Sequence, residues 1–161
     1  MVDIAPLGKH EWDVYRDVRL ASLEESPHAF GSRFAVERNR TEAEWRGRLE
    51  NRTQFVARDE GHPVATVGCL TESDGVMELV SLWVAPRARG TGVADLLVDA
   101  VVAEARQRGC ATIVLWFSQD NARAERLYAR HGFVRTGRVQ PLERGVPVRG
   151  QELEMRRVDP G

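Results

Sequence analysis

A strand-like segment that ends in a glycine turn and continues as a helix is the feature of this sequence that most restricts its fold. Val76–Val84 is apolar and rich in residues that favour strands, and Pro86 follows it, where a fixed φ and a missing N–H suit the exit from a sheet. The next residues, Arg87–Gly92, have the pattern RxxGxG. An apolar segment, Val93–Arg108, then predicts a mostly buried helix, and Gly109 is suited to end it.

This turn brings together unpaired backbone N–H groups, two residues without a Cβ atom and the positive end of a helix dipole. Such an arrangement favours an anion, although an ordinary strand-to-helix turn is the alternative. Two well-known phosphate motifs are excluded. The chain contains no GxxxxGK[ST] run, and Asp95 stands where the dinucleotide fingerprint needs Gly or Ala. The sequence therefore predicts a phosphate site of another kind.

A second strand and helix follow the first pair. Thr112–Phe117 is a nearly continuous apolar run, which is typical of a strand covered on both faces. Asn121–His131 has helical spacing and is followed by Gly132. Together with the preceding strand, turn and helix, these segments predict a βαβ unit.

The N-terminal part predicts a short strand, two helices and the start of a β-meander. Asp59–His62 has the composition of a hairpin turn, and Thr41 followed by Glu44 forms a capping-box start for a helix. The other predicted segments are a strand at Val2–Ile4, a helix after His10, a helix ending at Leu49, and strands at Phe55–Arg58 and Pro63–Leu70.

Composition limits the functions open to the chain. Its 161 residues, 42% hydrophobic and 29% charged, suit one globular domain. A net charge of −1 argues against nucleic-acid binding, and no run of about 18 uncharged apolar residues predicts a membrane span. We therefore expect a cytoplasmic protein with neither nucleic-acid nor membrane partners.

Metal and redox sites are not indicated. The two cysteines, Cys69 and Cys110, lie in or beside apolar segments and have neither CxxC nor His spacing around them. We interpret both as reduced core residues. His10, His62 and His131 are scattered along the chain, and no HxxxH or paired-carboxylate spacing is present, so no metal cofactor is expected.

Two motifs in this order resemble those of the GCN5-related N-acetyltransferase (GNAT) family. The first is VAPRARGTGVA, residues 84–94, which follows a strand. The second lies at the next strand-to-helix junction and comprises Asn121, Ala124, Leu127, Tyr128, Gly132 and Phe133. The resemblance covers roughly residues 55–137, and the pair of motifs is specific where either motif alone would be weak.

The resemblance implies an α/β (α+β) fold in which residues 1–161 form a single N-acetyltransferase domain. Its mixed, mostly antiparallel sheet is expected to have about six or seven strands, to be flanked by about four helices and to splay between the fourth and fifth strands. The implied co-substrate is acetyl-CoA, whose pantetheine arm would lie in the gap. A splayed sheet leaves strand N–H and C=O groups unpaired, and an amide-bearing arm is a natural partner for them.

By the same resemblance, main-chain groups of residues 82–84 would pair with pantetheine and N–H groups of residues 89–94 would hold the pyrophosphate. Arg87 or Arg89 would add positive charge. The implied cofactor-binding residues are Leu82, Trp83, Val84, Arg87, Arg89, Gly90, Thr91, Gly92, Val93, Ala94 and Asn121.

Acetylation of an amine needs a neutral amine, a stabilised oxyanion and a proton for the departing thiolate. Asn121 and Tyr128 share a helix face. The resemblance makes the Tyr128 hydroxyl the general acid, with a half-buried core aromatic as the alternative, while Asn121 orients the cofactor or caps the helix. Glu78, a carboxylate in an apolar strand, resembles the family's general base, acting directly or through water; an exposed strand-edge carboxylate is the alternative. The oxyanion donor is expected to be a main-chain N–H near Leu82, and Ser81 lies near where family strands carry a bulge.

The acceptor side is less defined. Trp83 and Trp116 fall on the strands that flank the cofactor, where core packing is the first interpretation and lining of the acceptor pocket the second. His28 and Phe30 lie in the loop between the first helices, which in this family commonly contacts the acceptor; a plain surface loop is the alternative. The expected acceptor is a primary amine of a small molecule or a protein, and family members often form homodimers.

A non-catalytic acyl-CoA sensor of the same fold is the alternative function. Such a module would bind the cofactor but would release no thiol with any amine. The presence of both Tyr128 and Glu78 favours the enzyme.

Overall fold

A computed structural model describes residues 2–27, 33–143 and 146–159. The strands are β1 (Val2–Pro6), β2 (Thr53–Asp59), β3 (His62–Ser73), β4 (Val76–Val84), β5 (Thr112–Ser118), β6 (Val134–Glu143) and β7 (Val146–Val158). The helices are α1 (Trp12–Glu25), α2 (Phe34–Glu37), α3 (Glu42–Glu50), α4 (Val93–Gln107) and α5 (Ala122–Arg130). The predicted order of elements is confirmed, and the single-turn α2 is an addition to it.

The strands form one seven-stranded sheet in the described part of the chain, with the order β1-β2-β3-β4-β5-β7-β6. Neighbouring strands are antiparallel except β4 and β5, which are parallel because α4 carries the chain back across the sheet. This is the mixed, mostly antiparallel sheet that the resemblance predicted.

The sheet opens between β4 and β5. Their register begins at Val76 opposite Thr112 and ends at Leu79 opposite Leu115, although β4 continues to Val84 and β5 to Ser118. The two strands therefore separate over their C-terminal halves. The predicted splay between the fourth and fifth strands is confirmed.

A bulge lies in β4 at the point where this separation begins. Ser81 has a φ of +56°, rare for a residue with a side chain, and the register with β3 shifts between Thr66 and Gly68. The Ser81 hydroxyl accepts a hydrogen bond from Arg19 Nη1 at 3.1 Å. The bulge predicted near Ser81 is confirmed, and Arg19 of α1 ties it to the neighbouring layer.

The main core lies between the sheet and α4. The inward face of α4 includes Leu97 and Val101, and it packs into one buried cluster with Ile113 and Leu115 of β5. The pattern of apolar residues on most faces of this helix fits that position. Cys69 and Cys110 are free and buried in the same cluster, as predicted.

A network of charged side chains links the first three helices. Glu37 is 1% exposed and accepts hydrogen bonds from Arg19 Nη2 at 3.0 Å and from Arg48 Nη1 at 2.9 Å. A buried carboxylate needs such partners to remain charged. The network joins α1, α2 and α3 and positions Arg19 beside the β4 bulge.

Candidate active site

A cavity of about 750 Å³ opens where β4 and β5 separate. Its wall is built from the end of β4, the glycine turn, the first turn of α4, the end of β5 and the inner face of α5. The residues predicted from the sequence that line it are Glu78, Leu82, Trp83, Val84, Arg89, Gly90, Gly92, Val93, Ala94, Trp116, Asn121 and Tyr128.

The glycine turn has the geometry of an anion site. Gly90 and Gly92 have φ values of +79° and +86°, which residues with a side chain rarely adopt, and Gly92 is the N-cap of α4. None of the described side chains caps this helix, so the N–H groups of its first turn face the cavity with the positive end of the helix dipole. A Cβ atom built at either glycine has no described atom within 4 Å.

Arg89 is the arginine of the turn that lines the cavity. Its Nε donates to the carbonyl of Val84 at 3.1 Å, and its guanidinium pairs with Glu25 at the end of α1. Although burial opposes the effect, hydrogen bonds from Ser26 and Arg89 hold the pKa of Glu25 below its usual value. The predicted cofactor arginine is therefore paired in this structure.

Two of the predicted cofactor residues do not line the cavity. Arg87 is turned toward β3, where its guanidinium donates to the Pro63 carbonyl at 3.2 Å. The Thr91 hydroxyl donates to the Ala88 carbonyl at 2.5 Å within the turn. Of the two arginines that the sequence offered for the pyrophosphate, this placement favours Arg89.

Tyr128 lies on the inner face of α5 and is 5% exposed. Its ring meets Phe133 edge-on, with centroids 5.8 Å apart. Burial raises the pKa of the hydroxyl, so it keeps its proton at neutral pH. At the start of the same helix, the Asn121 side chain accepts from the Ala124 N–H at 3.0 Å, so it is the N-cap. The capping interpretation of Asn121 is confirmed.

Glu78 is half-buried on β4, an internal strand of the sheet, which excludes the interpretation as an exposed strand-edge carboxylate. Burial raises its pKa first, and the negative charges of Glu72, Glu152 and Glu154 raise it further, against an opposite effect of Arg52. Within the described part of the chain it forms no ion pair. A carboxylate in this setting binds protons more readily than an exposed one.

The two tryptophans flank the opening. Trp83 on β4 and Trp116 on β5 are both half-buried and line the cavity, and the guanidinium of Arg138 lies 5.6 Å from the Trp116 ring centroid. His28 and Phe30, predicted at the acceptor side, lie outside the described residues.

Comparison with known proteins matches the part of the chain that builds this cavity. The model of the "Acetyltransferase (GNAT) family" matches residues 16–133, which include β4, the glycine turn, α4, β5 and α5. The chain belongs to the GNAT family. Its predicted membership, which rested on the two motifs, is confirmed.

A relative of this GNAT protein, an uncharacterized N-acetyltransferase of Mycobacterium tuberculosis, is 35% identical over 82 residues, which are 51% of this chain and 53% of the relative. This GNAT chain thus spans about half the length of the curated relatives it matches. The mycothiol acetyltransferase of a Parafrankia species is 38% identical over 74 residues, 46% of this chain and 23% of that protein.

Solved structures share the GNAT fold. An acetyltransferase from Salmonella typhimurium, solved with its cofactor acetyl-CoA, has a TM-score of 0.77 at 17% identity and covers 98% of this chain and 94% of its own. At this identity the likeness concerns the fold. None of the helices in the described ranges of this GNAT protein has the length and apolar character needed to cross a membrane.

Several cavity residues of this GNAT protein were not predicted from the sequence. Arg123, Arg126 and Arg130 of α5 line the cavity, and their helical spacing is a signal that could have indicated a basic face. Gln140 and Glu152, on β6 and β7, also line the cavity. Nothing in their local sequence marks them, because their position depends on how β7 inserts between β5 and β6.

Proposed function

We propose that this GNAT protein transfers the acetyl group of acetyl-CoA to a primary amine by direct attack in a ternary complex. The observation that carries the proposal is one cavity that contains the turn amides, the unpaired ends of β4 and β5, Tyr128 and Glu78. Family membership supports the acetyl donor, since the matched model is that of an acetyltransferase family.

The residues present fit acetyl-CoA. The amides after Gly90 and Gly92, with Arg89, suit a pyrophosphate, and the free edge of β4 suits the amides of pantetheine. Arg123 and Arg126 form no ion pair within the described part of the chain and add positive charge at the same end. When bound, acetyl-CoA supplies a thioester carbonyl for attack.

In the proposed mechanism, Glu78 accepts a proton from the acceptor ammonium, directly or through water, which leaves a neutral amine. The amine nitrogen then forms a bond to the acetyl carbon. A main-chain N–H near Leu82, beside the Ser81 bulge, stabilises the oxyanion. As the C–S bond breaks, Tyr128 gives its proton to the thiolate and regains one from the new amide nitrogen.

A thiol-release assay with acetyl-CoA over a set of amines and peptides tests this function. Release that depends on the amine, with the acetylated amine found by mass spectrometry, is the expected result. Calorimetric binding of acetyl-CoA without thiol release from any acceptor would instead favour the sensor. An acceptor that is either a small molecule or a protein amine, and a homodimeric assembly, are further predictions.

Replacing Glu78 with glutamine should make stability depend less on pH. A carboxyl whose folded pKa lies above its unfolded value, near 4.5, keeps its stabilising effect below that value and loses it as pH rises through the folded pKa. Glu78→Gln cannot ionise, so its melting temperature should exceed that of the parent protein at pH 7 and approach it at about pH 4. Thermal unfolding at both pH values measures this.

The same substitution should lower turnover at neutral pH by about a hundred- to ten-thousandfold, the span usual for a lost general base. Glu50→Gln, at the exposed end of α3, is the control and should leave turnover unchanged. Full activity of Glu78→Gln would remove this carboxylate from the mechanism.

A further inference from the structure

The charged side chains that line the cavity are separated by sign, and this separation bears on the acceptor if the proposed function holds. Arg89, Arg123 and Arg126 line the side formed by the glycine turn and α5. Glu78 and Glu152 line the side formed by the face of the sheet turned away from α4, because their neighbours Leu79 and Leu153 pack with the α4 cluster. A polyanionic cofactor matches the first side, so the acidic side is left for the acceptor.

The three other charged residues on the wall, Arg19, Asp95 and Arg130, are already paired, and Arg89 is itself paired with Glu25. Asp95 accepts from Arg130 at 3.1 Å and lies 2.8 Å from the Nε2 atom of His131. Arg19 is bound to the buried Glu37. Pairing of this kind removes most of their influence on a ligand, so the separation by sign remains.

The strand register places the two carboxylates on one face of the sheet. Glu78 is opposite Val114 of β5, and Glu152 of β7 is opposite Ser118 of β5, with Trp116 between these two partners. Residues two or four apart on a strand point to the same face. Two strand spacings and four residues of rise separate the two backbones by about 16 Å, and both side chains line the same cavity.

Neither carboxylate has a cationic partner in the described part of the chain. Glu152 accepts one hydrogen bond, from Gln140 Nε2 at 2.6 Å. The next inward-facing carboxylate, Glu154, differs, since Arg138 at 3.0 Å and Arg156 at 3.5 Å both pair with it. Burial raises the pKa of Glu152, and the hydrogen bond from Gln140 partly offsets this effect.

We infer that Glu152 is a specificity-determining residue that selects acceptors with a second cationic nitrogen, such as an α,ω-diamine or a linear polyamine. Glu78 faces the amino group that is acetylated. Glu152 holds the distant ammonium, which remains charged throughout the reaction. The bond-forming step is the same as in the proposed function. Glu152 affects only which amine binds as the acceptor.

The test compares kcat/KM with acetyl-CoA for α,ω-diamines, from 1,4-diaminobutane to 1,10-diaminodecane, against n-alkylamines of equal carbon number. The best diamine should exceed its matched monoamine by about tenfold or more, as expected for one charge-assisted contact in a partly dry site. In Glu152→Gln that ratio should fall close to one through a higher KM for the diamine. Glu152→Asp should restore part of it, and Glu50→Gln should keep the parent ratio.

A merely structural role for Glu152 would lower the rates for both amines together and leave their ratio unchanged. Should Glu152→Gln fail to fold, the parent protein still decides, because the diamine preference must decrease as salt screens the distant contact. Equal rates for diamines and monoamines, or a preference that survives in Glu152→Gln, would overturn the inference and leave acetyl transfer standing. Absence of thiol release with every amine would overturn both.

Discussion

Replacing Tyr128 with phenylalanine is expected to lower turnover by roughly ten- to a thousandfold while cofactor affinity changes by less than about threefold. The substitution removes one hydroxyl from a ring that is 5% exposed and packed against Phe133, so the shape of the wall is retained. Because burial raises the pKa of this hydroxyl, it is protonated at neutral pH and suited to donate. Steady-state kinetics and calorimetry with acetyl-CoA measure the two quantities separately.

The chain offers a matched control in Tyr15. Its ring is 2% exposed and meets Trp45 edge-on at 5.5 Å, in the small cluster between α1 and α3, away from the cavity. Its buried hydroxyl has no hydrogen-bond partner among the described residues. Tyr15→Phe should therefore keep turnover and either keep or slightly raise the melting temperature, because an unsatisfied buried hydroxyl is removed. Equal kinetics for both variants would exclude Tyr128 as the acid.

Replacing Gly90 with valine should weaken acetyl-CoA binding by about a hundredfold or more, close to 2.7 kcal/mol. A φ of +79° disfavours a β-branched residue, so the turn must change conformation and its N–H groups lose their common direction. The new side chain would also enter the open space before the turn, where a Cβ atom has no described neighbour within 4 Å. Calorimetry with CoA and with acetyl-CoA measures the loss.

Gly61→Val separates this local effect from general instability. Gly61 lies in the β2–β3 hairpin turn, with a φ of +86° and equally open surroundings. Both variants should lose about 1–2 kcal/mol of stability from the left-handed conformation, but only Gly90→Val should lose affinity. Similar affinities in the two proteins would refute the assignment of the Gly90 turn as the phosphate site.

Much of the fold could be predicted because local signals agreed with the tertiary structure. Val76–Val84 is a strand with the bounds that its composition indicated, and the Thr41–Glu44 capping box begins α3. Strand ends were less certain, since β3 runs from His62 to Ser73 and includes polar residues that only pairing with β4 explains. Pairing between distant segments leaves little trace in local composition.

The site was predicted unevenly for the same reason. The turn and Tyr128 belong to motifs whose spacing is local. By contrast, Glu152 reaches the cavity because β7 lies beside β5, and Arg89 is paired with Glu25 across a large distance in sequence. Arg19 lies in the helix predicted after His10, yet its contact with the Ser81 bulge depends on Glu37 and on packing between distant segments.

The short β4–β5 seam has a thermodynamic consequence. Residues 76–79 of β4 pair with residues 112–115 of β5, and this pairing joins the β1–β4 half of the sheet to the β5–β7 half. Helix α4 connects the same two strands. A ligand whose amides pair with the open strand ends would extend this seam and would bind the folded state alone. At a free concentration of about one hundred times its Kd, such a ligand adds about 2.7 kcal/mol to the free energy of unfolding. Such a ligand would become a structural component of the sheet, and thermal stability would measure its occupancy.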